Sequence, residues 1–120
     1  MGNKLLIGAW GEHQAAEYLR KKRYHLVAKN YRVRGGEIDL IVENRFYLVF
    51  VEVKTRQDAS HGEAKEFVDL RKQERVRMAA SLWLAANETE KQPRFDVVEV
   101  YAPDGAATEK PEIIHLENAF

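Results

Sequence analysis

Cysteine is absent from the chain, and with it go disulfides, thiolate-ligated zinc and thiol catalysis. Long apolar runs are absent too: none approaches the ~18 residues of a membrane-spanning helix. The opening stretch MGNKLLIGAWGEH has only a short apolar patch with an acid soon after it, which is not the pattern of a secretory signal. A cytoplasmic protein with no membrane association is the simplest expectation. Proline and glycine are sparse, at three and seven residues of 120, and nowhere gather into a linker. No repeat or low-complexity tract interrupts the chain. A single domain over residues 1–120 follows, since domains most often run to ~100–150 residues. An excess of either charge is also missing: 19 Lys and Arg balance 19 Asp and Glu. That balance is low for a dedicated duplex binder, because phosphate neutralisation drives most nucleic-acid affinity.

What is present suffices for a core. The composition is 45% hydrophobic and 32% charged, which excludes a wholly disordered chain. The charge is unevenly placed. Residues 1–36 carry eight Lys and Arg against two acids, and residues 37–70 carry four against eight. Residues 71–92 carry five against three, and residues 93–120 two against six. An acidic segment between basic ones fits metal-binding carboxylates flanked by phosphate-binding surface; it fits equally a set of solvated faces that differ in charge.

Residues 3–23 read as an amphipathic helix. Leu5, Ala9, Ala16 and Leu19 share a face, Asn3 is the N-cap, and the basic run Arg20 to Arg23 suits the C-terminus. Residues 25–33, 37–43 and 46–55 read as three strands, with Gly35-Gly36 a tight turn and a short hairpin link at residues 44–45. Residues 57–67 read as a mobile loop. A second helix runs from an N-cap at Asp69 to about Asn87, with Val76, Ala79, Ala80 and Trp83 as its apolar stripe. Residues 94–101 form a fourth strand and residues 112–116 a short edge strand. The order α-β-β-β-α-β(-β) is that of a mixed α/β domain with a four- or five-stranded sheet flanked by two helices. The run FYLVFV is apolar on both faces, so the third strand belongs at the sheet's centre.

Acids occupy positions where a core is expected. Glu52 and Lys54 interrupt the third strand two residues apart and share a face, with Val49, Val51 and Val53 on the other. Such a charge must be paired or metal-bound, and a same-face Glu52–Lys54 ion pair satisfies that as well as a metal does. With the hairpin loop at 44–45, Asp39 lies opposite Phe50; with the loop at 45–46, it lies opposite Glu52. Either register puts Asp39 on the Glu52 face, whereas a three-residue loop without a bulge reverses it. Ile38, Leu40 and Val42 then form the opposite side of the second strand. In the first helix the stripe 5, 9, 12, 16, 19 passes through Glu12, with Gly8 and Gly11 flanking it for close approach. An edge position reaching water or an Arg is the alternative for Glu12. Extending the second helix's stripe backward reaches Gln73 and Lys72, either sheet-facing or an ordinary polar first turn. Two or three carboxylates offer hard oxygen ligands for Mg²⁺ or Mn²⁺, and an adjacent lysine can orient water or stabilise developing negative charge.

The spacing of Asp39, twelve residues, then Glu52-Val53-Lys54 resembles the PD-(D/E)-x-K nuclease superfamily, with Ile38 in the place of the proline. The chain resembles still more the small bacterial YraN-like family, over GAWGEHQAAEYL, RGGEIDLI, YLVFVEVKTR, KQERVRMAA, PRFDVVEV and the terminal ENAF. That family is similar to archaeal Holliday junction resolvases. The resemblance implies a restriction-endonuclease-like fold and a metal-dependent nuclease acting on DNA rather than RNA, including branched or structured DNA. Glu12, Asp39, Glu52 and Lys54 would be the catalytic set, and Asp39, Glu52 and Glu12 the ligands of Mg²⁺ or Mn²⁺. Arg34, Arg56, Lys72 and Gln73, and also Arg32, are candidate nucleic-acid contacts, with solvated charge the alternative for the arginines. A protein partner and a homodimer are further expectations. The competing reading is a nuclease-fold module that binds nucleic acid or protein without cutting, which the neutral charge favours and the buried acids do not. His13, His25, His61 and His115 lack metal-ligand spacing and read as surface or core-edge residues, with His61 in the loop able to touch a substrate. Trp10, Trp83 and Tyr31 read as packing residues.

Overall fold

The computed structural model describes residues 4–57 and 69–120. Helix α1 (Lys4–Lys21) leads into strands β1 (His25–Val33), β2 (Gly36–Glu43) and β3 (Tyr47–Arg56). Helix α2 (Leu70–Ala86) and strands β4 (Gln92–Tyr101) and β5 (Glu112–Leu116) follow. The five strands make one sheet in the order β1-β2-β3-β4-β5. β3 is therefore central, as its two-sided apolar run requires. β3 and β4 are parallel and the other neighbours antiparallel. A parallel pair cannot be joined by a hairpin, and α2 lies within the crossover between them. The expected loop at 57–67 and the Asn3 cap fall, apart from Gln57, outside the described residues.

The helices cover opposite faces. Val49 and Val51 of β3 meet Ala15 and Leu19 of α1, with Val53 half-buried beside them. Leu48 and Phe50 point the other way, onto Val76, Ala79 and Ala80 of α2. α2 begins and ends as its caps dictate: the Asp69 side chain accepts the Lys72 N–H, and Asn87 closes the C-terminus. Trp83 packs edge to face on Tyr31 at 5.2 Å.

Two face assignments differ from the sequence pattern. Among the α1 residues from Ile7 onward the buried positions are Gly11, Ala15 and Leu19, while Ala9 is exposed and Glu12 half-buried. The helix is turned because Gly11 seats directly on Thr55, where a Cβ would overlap the Thr55 side chain. Gly8 meets nothing. A glycine counts for little in a hydropathy pattern yet allows the closest approach. In β2, alternation puts Ile38, Leu40 and Val42 on one face, but the fold divides them. Leu40 and Val42 pack under α1, and Ile38 packs under α2. The strand pair turns over where Asn30, at a left-handed φ of 52°, stands between the pairs Lys29↔Leu40 and Tyr31↔Ile38.

A second buried acid shows how this fold treats a structural charge. Asp96 of β4 is fully buried and accepts from Arg94 Nε at 2.9 Å and Nη2 at 2.8 Å. It also accepts from the Asn118 N–H at 3.0 Å and meets His115 Nε2 at 2.7 Å. Burial alone would raise its pKa, but His115, Arg94 and the Asn118 amide outweigh that and hold it low. His115 is thus a core-edge residue, and the network ties β5 and the C-terminal segment to β4.

Close approach at glycine gives a stability test. A Cβ on Gly36 would overlap the Arg75 carbonyl and lie 3.1 Å from the Ala79 amide of α2. Gly36→Ala should lower unfolding free energy by about 1–3 kcal/mol through overpacking. Gly8→Ala, in open space on a helix, should raise it by about 0.5–1 kcal/mol. Urea denaturation of the two variants checks both signs.

Candidate functional site

The site begins where the β2–β3 ladder stops. The hairpin is closed by Asn44, whose side chain accepts the Phe46 and Tyr47 amides at 2.9 and 2.8 Å. Its backbone N–H donates to the Tyr47 carbonyl at 3.0 Å, which selects the register with the loop at residues 45–46. The ladder runs from Glu43↔Leu48 to Leu40↔Val51, and continuing it sets Asp39 opposite Glu52. A continued ladder would give the Val53 N–H to the Ile38 carbonyl. Instead it donates to Asp39 Oδ2 at 2.8 Å. The two strands part there, and the Asp39 carboxyl fills the gap.

Asp39 and Glu52 influence each other's ionisation. Burial raises the pKa of Glu52 to about 8, the charge of Asp39 adds to the rise, and Lys72 opposes it. Asp39 is raised as well, chiefly by burial, against the pull of the Val53 amide and Lys72. Glu52 Oε1 lies 3.2 Å from Lys72 Nζ, and Glu52 Oε2 is buried with no hydrogen-bond donor among the described residues. Lys72 also reaches Glu37 Oε1 at 3.3 Å, and Glu37 Oε2 stands 3.7 Å from Arg32 Nε. Glu12 approaches from α1. Burial and then Asp39 raise its pKa, while a hydrogen bond from Asn30 and the charge of Arg32 work against the rise.

The expected residues do converge in part. Asp39 and Glu52 face each other in the continued ladder, the charge of Asp39 adds to the cost that burial sets on ionising Glu52, and Glu12 is near enough to feel Asp39. Glu12 and Lys54 line one cleft of about 450 Å³ with Val53, Thr55, Arg56 and Gln57. Lys72 reaches the acids directly and supplies an ion-pair partner for Glu52 that strand parity does not name. Arg56 lines the cleft while its Nε binds the buried Glu99 at 2.7 Å. Arg34 is exposed at the β1–β2 turn and Gln73 is half-buried in the first turn of α2. His13 and His25 are exposed, and His61 lies outside the described residues. Among the described residues no group of three or more His, Asp or Glu is set to hold a metal ion. The donor set nearest to a ligand pair is Asp39 and Glu52, and the unpartnered Glu52 oxygen fits a hard cation.

Sequence reasoning missed Glu37, Asn30 and Glu99. An acid beside a turn reads as solvated, so nothing marks Glu37 before α2 is docked. Asn30 was findable in principle, since it stands across from Asp39 in the β1–β2 pairing. Glu99, within an apolar strand beside Lys54 in the parallel register, carried a signal of its own: an acid inside a buried run.

The model of the uncharacterised protein family UPF0102 matches residues 11–100. The chain belongs to that family. The matched span contains Glu12, Asp39, Glu52, Lys54 and Lys72. A UPF0102 protein of Caldanaerobacter subterraneus subsp. tengcongensis is 43% identical over 120 residues, covering 98% of this chain and 97% of the relative. One from Symbiobacterium thermophilum is 50% identical over 101 residues, 82% of this chain and 86% of the relative. One from Nocardia farcinica is 42% identical over 121 residues, spanning all of this chain and 93% of the relative. The YraN-like resemblance is thus a matter of UPF0102 membership. No helix among the described residues is long and apolar enough to cross a membrane.

The raised carboxyls of Asp39 and Glu52 should make stability fall as pH rises. A carboxyl whose folded pKa lies above its unfolded value favours the fold below the unfolded value, and that contribution is lost as pH climbs through the folded one. For Glu52 the window runs from 4.5 to about 8, and each pH unit within it is worth about 1.4 kcal/mol. Urea denaturation between pH 5 and pH 8.5 without metal should show this decline. Glu52→Gln should flatten it and be at least as stable as wild type at pH 8.5. A Glu52 that is simply one half of a stabilising buried ion pair gives the opposite result, a loss of about 3–5 kcal/mol in the variant.

Proposed function

We propose that this UPF0102 protein is a metal-dependent nuclease that hydrolyses phosphodiester bonds in DNA, branched or structured DNA included. The observation that carries the reading is the Asp39–Glu52 pair. The structural acid of this fold, Asp96, has donors on both oxygens. Glu52 instead faces another carboxyl and leaves one buried oxygen open. Glu99 also leaves one oxygen open and holds Arg56 with the other, as Glu52 holds Lys72. What sets Glu52 apart is the second carboxyl beside it: after burial, the charge of Asp39 raises its pKa further. An acid pair that disfavours its own ionisation is a poor structural device and a good half-built cation site.

Asp39 and Glu52 would hold Mg²⁺ or Mn²⁺, with Glu12 the third acid nearby; such ions accept hard oxygen donors and bind phosphate. Bound there, the ion would supply Lewis acidity toward the phosphate and the attacking water. The chain's own groups account for the rest. The cleft lined by Glu12 and Lys54 would admit the phosphodiester, with Lys54 on its wall to meet the negative charge that grows on the phosphate oxygens. Glu12, with its raised pKa, is suited to take the proton from the attacking water. The water oxygen bonds to phosphorus as the bond to the leaving sugar oxygen breaks, and that oxygen ends protonated. Arg56 at the cleft wall, together with Arg34, Lys72 and Gln73 elsewhere on the surface, would bind flanking phosphates. DNA as the substrate rests on the resemblance to junction resolvases.

The second reading, binding without cleavage, is favoured by the zero net charge. Incubation with single-stranded, duplex, flap and four-way DNA in Mg²⁺ or Mn²⁺ separates the two. Cleavage is expected, falling at least ~100-fold in Asp39→Asn and in Lys54→Met. DNA binding without cutting, or cutting unchanged in Asp39→Asn, overturns the nuclease reading.

A further inference from the structure

The carboxyl pair already faces a cation, and the protein itself provides it. Lys72 Nζ lies 3.2 Å from Glu52 Oε1 and 3.3 Å from Glu37 Oε1. We infer that Lys72 is a tethered counter-ion that competes with a divalent cation for the Asp39–Glu52 pair and gives up its contact with Glu52 as the cation binds. The inference rests on the metal reading above and concerns how that site is loaded.

Three features make Lys72 a gate rather than a fixed strut. Its backbone is anchored: the Asp69 carboxylate accepts its N–H at 2.9 Å at the start of α2, and Gly36 lets α2 sit tight on the sheet. The helix therefore delivers the side chain to one place. The side chain beyond that anchor is long and flexible, and it is 28% exposed, so the ammonium has a path to solvent without movement of the helix. Third, its partners are unequal. Glu37 is an outer carboxylate, 34% exposed, that also faces Arg32, while Glu52 is 10% exposed. Losing the inner contact leaves Lys72 a second carboxylate at the rim to hold it. A divalent ion on the open Glu52 Oε2 and an ammonium 3.2 Å from Oε1 of the same carboxylate repel each other, so each weakens the other's hold.

The consequence is a site whose metal affinity is set partly from α2, outside the Asp39–Glu52–Lys54 spacing. By linkage, whatever Lys72 does to metal binding, metal does to Lys72. Two readouts follow, neither of them activity. Mn²⁺ alone is titrated calorimetrically into wild type, Lys72→Met, Lys72→Gln and Asp39→Asn/Glu52→Gln, each first checked for a cooperative thermal transition. Separately, Lys72 of wild type is acylated with an amine-reactive ester, with and without Mn²⁺, and followed by peptide mass spectrometry.

Both Lys72 variants should bind Mn²⁺ about 5- to 150-fold more tightly than wild type, the double acid variant should not bind, and Mn²⁺ should speed acylation of Lys72. If wild type binds through the two acids but the Lys72 variants bind equally or more weakly, the counter-ion inference falls and the metal reading stands. If no protein binds Mn²⁺, both fall. Should either substitution prevent folding, the other and the acylation of wild type decide; acylation slowed or unchanged by bound Mn²⁺ counts against displacement.

Discussion

The Val53 amide donating to the Asp39 carboxylate is the contact on which the site depends. It occurs where two antiparallel strands cease to bond to each other, and it converts a backbone vacancy into an anchor for a side chain. An aspartate held this way cannot rotate toward water to escape Glu52. The strand separation, the inward aim of Asp39 and the discomfort of Glu52 are therefore a single feature. Turning β1 and β2 over at Asn30 serves the same end, since it places Ile38 under α2 and Leu40 under α1 and leaves Asp39 at the crossing point.

Around that contact the fold handles buried charge in two distinct ways. On β4, Asp96 is surrounded by donors from the same strand, from β5 and from the C-terminal segment, so its ionised form is favoured and it fastens the sheet's edge. On β3, Glu52 is set beside a like charge in a site too dry for either, with a lysine from the far side of the crossover as partial relief. The first arrangement stabilises the molecule. The second costs stability and is tolerated because β3 is braced on both faces by Val49, Val51, Leu48 and Phe50. Central placement of β3 is thus what allows an unfavourable pair to persist next to a cleft.

The glycines are the other requirement. α1 reaches Thr55 only because Gly11 has no side chain, and α2 reaches the β1–β2 turn only because Gly36 has none. These two approaches bring Glu12 toward Asp39 and Lys72 toward Glu52 and Glu37. The acids are thus assembled by helix packing at least as much as by their own strand positions.

Much of this was readable from residue order, since the relevant physics is local. The limits of β1 and β5, both caps of α2, and the central place of β3 follow from alternation, capping chemistry and a run apolar on two faces. Strand parity brought Asp39, Glu52 and Lys54 to one region and narrowed the hairpin to two registers. The Asn44 side chain, bonding the two amides after it, then chose between them. What local rules could not reach was decided by packing between segments distant in sequence. The roll of α1 depends on Gly11 meeting Thr55, so the periodicity that put Glu12 mid-stripe was slightly turned. The division of Ile38 from Leu40 depends on one left-handed asparagine in the neighbouring strand, which alternation cannot foresee. Glu37 and Lys72 became parts of the site only when α2 closed over the sheet, because an ion pair between residues thirty-five positions apart leaves no trace in spacing. Sequence alone determined which groups could be costly to bury; the tertiary structure decided which of them were left without a partner.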